Sequence, residues 1–161
     1  MDHLWTPWRS KYIQEPRGNA GCIFCAAATG ADDERTLVVH RGEHCFVLLN
    51  RYPYTAGHAM VAPYVHVSRL TQADDVVTTE MMRLARRLEQ ILEKLYHPNG
   101  MNLGLNLGEA AGAGIEQHIH LHFLPRWIGD ANFMTTVAET RVLPELLEDT
   151  YAKFRTAFLK A

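Results

Sequence analysis

Cysteine is scarce in this chain: there are three in 161 residues, two of them in one Cys-x-x-Cys. Three cysteines cannot build a disulfide framework, which excludes the small secreted scaffolds that depend on one. Long apolar runs are also missing, and no stretch approaches the ~18 unbroken apolar residues of a membrane span. Met1 to Trp5 shows no basic region followed by an apolar run, so no secretory leader is expected. A reducing cytoplasm is the expected setting. Neither sign of charge dominates. The formal net charge is -2, so the chain is no polycation built for a nucleic acid polymer. A polyanionic small molecule would have to be held by local donors. Internal repeats and low-complexity segments are absent.

What is present fits a single domain spanning 1–161, with 47% apolar residues and enough length to bury a core. Residues 1–21 carry Trp5, Pro7, Trp8, Pro16 and Gly18 without periodicity, and read as an irregular arm whose indoles need a partner surface. Leu37–His40 and Cys45–Leu49 read as two strands joined by a hairpin-type turn. Gly57–Pro63 reads as a third. Thr71 or Asp74 can cap a long helix running to about Tyr96. Its apolar stripe is Val77, Met81, Leu84, Leu88, Ile91 and Leu95, with Arg83, Arg86, Arg87, Glu89, Glu93 and Lys94 on the solvated side. Pro98-Asn99-Gly100 stops it. Met101–Leu107 is a further strand, which would put Asn106 on the same side as Asn102. Leu143–Phe158 reads as a final helix with Pro144 in its first turn and Leu147, Tyr151, Phe154 and Phe158 on one stripe. The expected fold class is α+β: an antiparallel sheet with one long central helix and a C-terminal helix.

The most informative stretch is His118-Ile119-His120-Leu121-His122-Phe123-Leu124. Strict alternation marks a strand with one buried face. Side chains two apart point the same way, so three imidazoles would share a face and Ile119, Leu121 and Phe123 would pack on the other. Pro125 and Arg126 should end the strand. Three readings stand side by side: a strand with no chemistry, a His-x-His zinc site, and an imidazole nucleophile attacking phosphorus.

The preceding segment, Asn106 to Gln117, favours the last. Gly108, Gly112 and Gly114 let backbone approach a ligand and turn N–H groups inward, a nest for anionic oxygens. One part would hold phosphate oxygens and the other would supply the nucleophile. Cys22-Ile23-Phe24-Cys25 has three readings of its own: a zinc half-site, a redox pair, or two small buried hydrophobes. A redox pair needs a thioredoxin-like βαβ context, and none is visible.

His-x-His-x-His followed by two apolar residues, behind a Gly-x-Gly loop, resembles the histidine triad family of nucleotidyl hydrolases and transferases. Asn50 to Pro63, with Gly57-His58 inside it, resembles that family's Asn…Pro…Gly-His…Pro region. The core of the match runs from Cys22 to Trp127. Leu4 to Arg9, Pro125-Arg126-Trp127 and Gly129 to Phe133 resemble the bacterial branch similar to diadenosine tetraphosphate phosphorylases, with 128–161 as a C-terminal extension and helix. The resemblance implies that His120 attacks the α-phosphorus of a dinucleoside polyphosphate or a nucleoside phosphoramidate. His118 and His122 would complete the triad. Asn50 would hold ribose hydroxyls, and His58 would lie near the nucleotide. Asn106, Gly108, Gly112, Ala113, Gly114, Ile115 and Gln117 would surround the phosphates. It further implies a structural zinc on Cys22, Cys25, His66 and His118, with His40 and His44 as rival ligands. No organic cofactor is implied, and a homodimer is. The chain departs from the family at one place: Ile115 stands where many members have serine, and Gly114 where they have glutamine. Backbone N–H groups and Gln117 are left to assist the leaving group, and Arg126 and Trp127 are candidates for phosphate or base contact.

Overall fold

The computed structural model describes residues 21–131, 133–137 and 144–160. Apart from Gly21, the arm expected at 1–21 lies outside the described residues. The chain order is α1 (Ile23–Thr29), α2 (Asp33–Thr36), β1 (Val38–Arg41), β2 (Cys45–Leu49), β3 (Ala59–Pro63), α3 (Asp75–Tyr96), β4 (Gly100–Leu105), β5 (Leu121–Arg126), α4 (Phe133–Val137) and α5 (Leu147–Lys160). The five strands form one antiparallel sheet in the order β1-β2-β3-β5-β4. This is the expected α+β architecture. No helix among the described residues is long and apolar enough to cross a membrane.

Every residue of β2 and β3 is buried, because both faces of the sheet are covered there. That is why the two segments read as continuous apolar runs. On one face Val47, Leu49, Val61, Leu121 and Phe123 meet the α3 stripe and Phe154 and Phe158 of α5. On the other, Phe46, Leu48, Met60 and Ala62 meet Phe24 and Ala27 of α1. Neither α1 nor α2 was expected from sequence. Each is at most two turns, too short to show a periodic stripe. They persist through tertiary contacts. Arg41 closes the C-terminus of α1 by donating to the carbonyls of Ala27 (2.8 Å), Ala28 (2.9 Å) and Gly30 (3.0 Å), and it pairs with Asp33 at 2.8 Å.

The helix α3 starts after Asp74, and Thr71 belongs instead to a short 3₁₀ turn. Two polar members of α3 depart from the expected pattern. Glu80 is buried among the stripe residues, and Arg87 is half-buried and donates to the carbonyl of Phe158 at 2.7 Å. The helix α5 begins at Leu147, so Pro144 lies ahead of it rather than in its first turn. Glu145 holds that entry segment against α3, accepting from Tyr96 (3.0 Å), Thr150 (3.1 Å) and Lys153 (3.0 Å).

Pro125 and Arg126 lie inside β5 rather than ending it. The pairing of β5 with β3 stops at Phe123, whereas its pairing with β4 continues to Arg126. Within a strand, a residue's N and C=O point to the same side. The Pro125 carbonyl accepts from Thr55 at 3.3 Å on the side β3 has left, so the missing N–H falls where no ladder partner is needed.

The Glu80 carboxylate receives the N–H groups of Glu43 (3.1 Å), His44 and Cys45 (2.9 Å) and the Arg83 guanidinium (2.8 Å). It therefore clamps the β1–β2 turn to α3. Burial alone would raise its pKa, but these donors hold it below the ordinary carboxylate value. Glu80→Ala should cost about 3 kcal/mol, because three inward N–H groups lose their acceptor. Glu80→Gln should cost less. Denaturant midpoints at pH 7 check both, and an unchanged midpoint for Glu80→Ala would contradict the clamp.

Candidate active site

Strand β5 and its approach organise the site. Met60 pairs with His122 in register, so His122 shares the sheet face opposite α3. Residues 118–120 precede the strand, and the triad alternation therefore begins outside regular pairing. The segment is still fixed, because Ile119 N–H donates to the Val67 carbonyl at 2.8 Å. Ile119, Leu121 and Phe123 enter the main core as expected.

The three imidazoles do not line one wall together. His120 and His122 border a cleft of about 910 Å³, whereas the His118 ring turns away to two cysteines. The His120 Nδ1–H donates to the carbonyl of His118 at 2.8 Å, which leaves Nε2 with a lone pair. A second chain of bonds sets His122. The Tyr54 N–H donates to His58 Nδ1 at 3.2 Å, so His58 carries its proton on Nε2. That proton goes to His122 Nδ1 at 2.9 Å, and His122 is left with an Nε2–H donor. One ring can attack and its neighbour can donate.

Burial lowers the His120 pKa, although the His118 carbonyl opposes this. Burial, then the neighbouring His120, pushes His122 down to about 4. Burial, then His122 and His120, pushes His58 down to about 3. At neutral pH these rings are uncharged, as a lone-pair nucleophile requires.

Asn50 follows β2 and borders the cleft. Its Oδ1 accepts the Tyr52 N–H at 3.0 Å and its Nδ2 lies 3.4 Å from His58 Nδ1. Asn106, Gly112, Gly114 and Ile115 also border the cleft. His58 is buried behind His122, and Gly108, Ala113 and Gln117 do not line the cavity. The loop holds a 3₁₀ turn over Glu109–Ala111, with Gly108 at φ 88° and Gly112 at φ 82°, which explains two of its glycines. The Gly112 N–H is spent on the Glu109 carbonyl at 2.8 Å, so that N–H is not part of an anion nest. Gly57 (φ 75°) delivers His58 from a turn so tight that a Cβ there would sit 3.0 Å from Leu92.

Arg126 and Trp127 lie off the cleft. Arg126 pairs with Asp130 (2.6 Å) and Asn102 (2.8 Å), and the Trp127 indole donates to the Tyr96 carbonyl at 3.3 Å. Residues with no sequence signal supply much of the wall instead, notably Ile23, Phe24, Ala26 and Ala27 of α1 with Leu48 and Met60 of the sheet.

Cys22, Cys25, His66 and His118 form one cluster whose ligand atoms all lie within 4.8 Å of one another. Cys22 Sγ is 3.3 Å from His118 Nδ1, and Cys25 Sγ is 3.2 Å from His66 Nδ1. His118 Nε2–H donates to the Pro63 carbonyl at 2.9 Å, which leaves Nδ1 as a lone pair facing the sulfurs. Two thiols and two imidazoles at this spacing fit a tetrahedral zinc. His40 and His44 take no part: His40 stacks on Phe158 and His44 lies beside Glu43.

The antiparallel sheet, the cleft and the paired imidazoles define an α+β protein with a histidine-lined pocket. Residues 32–127 match the HIT domain model, and the chain belongs to the HIT (histidine triad) family. It is 39% identical over 157 residues to the AP-4-A phosphorylase of Mycobacterium tuberculosis, covering 93% of this chain and 80% of that one. A zinc-bound histidine triad family protein from Mycobacterium smegmatis superposes with a TM-score of 0.71 at 28% identity, covering 89% of this chain and 96% of that one.

The buried neutral rings make stability depend on pH. An unfolded chain protonates these histidines below about pH 6.5, whereas folded His58 and His122 resist down to about 3 and about 4. Their contribution is full above pH 6.5 and falls as pH drops through that window. The unfolding free energy should decline between pH 6.5 and 4.5 by up to about 1.4 kcal/mol per pH unit per ring. Denaturant titrations across that range measure the slope, and a flat profile would contradict the neutral-ring assignment.

Proposed function

We propose that this HIT-family enzyme transfers the nucleotidyl group of a dinucleoside polyphosphate resembling diadenosine tetraphosphate, through a covalent intermediate on His120. The observation that carries the reading is the His120 bond to the His118 carbonyl, which directs an Nε2 lone pair to the cleft. The likeness to a chain named AP-4-A phosphorylase favours inorganic phosphate as the acceptor over water. In the first half-reaction, Nε2 attacks the α-phosphorus. An N–P bond forms, and the P–O bond to the polyphosphate leaving group breaks. The Nδ1 proton stays on the ring, where the His118 carbonyl stabilises the positive charge that develops. His122 Nε2–H and N–H groups of the loop around Gly114 and Ile115 would meet the non-bridging oxygens as their charge grows. An acceptor oxygen then attacks phosphorus, the N–P bond breaks and the neutral imidazole returns. Splitting one displacement into two lowers each barrier.

Asn50 would hold the ribose, since a carboxamide both donates and accepts. The base would lie among the apolar residues of α1 and the sheet. His58 acts through His122, to which it donates. Ile115 offers the leaving group no hydroxyl. That disfavours the second substrate class, a nucleoside phosphoramidate, because its amine must be protonated to leave, and suits a polyphosphate, which leaves as a stabilised anion. Zinc held by Cys22, Cys25, His66 and His118 would be structural, because four protein ligands close its sphere. A reducing compartment suits the two thiols. Among the described residues β4 is an edge strand paired with β5 alone, Leu103 on it is 46% exposed, and two copies joined along it would form a homodimer.

Incubation with diadenosine tetraphosphate tests the chemistry. ADP plus ATP formed only with phosphate supports phosphorolysis, and AMP plus ATP in water supports hydrolysis. Two ADP would contradict attack at the α-phosphorus. His120→Ala should lower turnover by about 10³-fold or more while nucleotide binding persists. An acid quench of the wild type should trap nucleotide on His120. Metal analysis should find one zinc per chain, and chelation should lower the melting temperature. The solution mass should be about twice 18.3 kDa, and Leu103→Lys should shift it toward the monomer.

A further inference from the structure

His118 uses three groups at once. Its Nδ1 faces Cys22 and Cys25, its Nε2–H bonds the Pro63 carbonyl, and its own carbonyl holds His120 Nδ1. A second link runs through Phe24, which sits between the two cysteines in sequence. Its ring centroid lies 5.2 Å from that of His118 and 4.6 Å from that of His120. The cluster and the reactive ring therefore share one residue's backbone and one aromatic wall. The helix that carries Phe24 has seven residues, too few to be stable alone. Arg41 fixes its C-terminal end. Its N-terminal end is tied to the rest of the fold by the buried Phe24 ring and by Cys22 and Cys25, which reach His66 and His118. His66 is itself exposed and borders no part of the cleft.

We infer that the Cys22, Cys25, His66 and His118 centre positions His120: it fixes which nitrogen of that ring is protonated and how the ring is aimed. Cys22, Cys25 and His66 are then positioning residues for a nucleophile they never touch. This rests on the reading of His120 as nucleophile and of the centre as a zinc site, and its test separates the three. In the zinc-loaded protein, ¹⁵N spectra of labelled histidines should show His120 protonated at Nδ1 alone. His66→Ala removes a ligand that itself borders no part of the cleft. It should lose zinc, mix the two His120 tautomers, and lower kcat about tenfold or more with KM little changed. His66→Cys restores a four-donor set of the Cys3His type and should restore zinc, tautomer and kcat together.

Phe24→Leu keeps all four ligands, and serves if His66→Ala fails to fold. It should retain zinc yet shift the His120 signals and slow adduct formation several-fold. The inference is overturned if His66→Ala loses zinc while tautomer and kcat stay as in the wild type. It is equally overturned if Phe24→Leu leaves both unchanged, or if the wild-type protein neither carries nor takes up zinc. A wild type whose His120 is Nδ1-protonated but never carries nucleotide would instead count against the covalent mechanism, since the spectra need no substrate.

Discussion

One hydrogen bond sets the chemistry of the cleft: the main-chain carbonyl of His118 fixes the proton of His120 on Nδ1. Neutral imidazole has two tautomers, and only one presents its lone pair on Nε2. A backbone acceptor makes that choice with a group that has no charge to titrate and no rotamer to change. The arrangement works because residues 118–120 lie ahead of regular pairing in β5. Their carbonyls are not all committed to a ladder, and one is available to a side chain two residues on.

The second histidine is fixed by different means. Tyr54, His58 and His122 form a relay in which one main-chain N–H at the start determines the proton position on every ring after it. The two devices give opposite results on neighbouring residues, an acceptor at His120 and a donor at His122. Burial keeps both rings uncharged at neutral pH, so the pair differs in polarity rather than in charge. Loss of regular pairing on one side and a relay through a buried ring on the other produce complementary groups within three residues of sequence.

Much of this was legible in the chain, and the exceptions have physical reasons. The alternation at 118–124 located the core face correctly, because Ile119, Leu121 and Phe123 must be buried whatever the histidines do. It also put the three imidazoles on one face, the one that α1 covers, but only His120 and His122 border the cleft there, because the His118 ring is drawn to two thiols. The four-residue cluster came from a family likeness alone; its members are spread from Cys22 to His118, and no local pattern joins them. Helices α1 and α2 left no periodic trace at two turns or fewer, so the wall they build was invisible. Pro125 looked like a strand terminator, and the local rule is sound, but one neighbour had already departed. Arg126 looked like a phosphate ligand because its partners Asp130 and Asn102 meet it only in the folded sheet. Glu80 lay in a helical stripe that pattern alone would fill with an apolar residue, because its partners are main-chain groups with no sequence signature.

The close approach at Gly57 has a consequence for how this protein can drift. The turn that aims His58 lies against Leu92, Pro125 and Tyr96, two of them in the last two turns of α3. The first turns of that helix are anchored at Glu80, on the far side of the hairpin. Sequence change is therefore not equivalent along its length. Enlargement near Leu92 pushes on the turn behind the imidazole relay, whereas the same change near Val77 reaches only packing. A lineage adapting its activity without touching the cleft has its lever in the C-terminal half of α3.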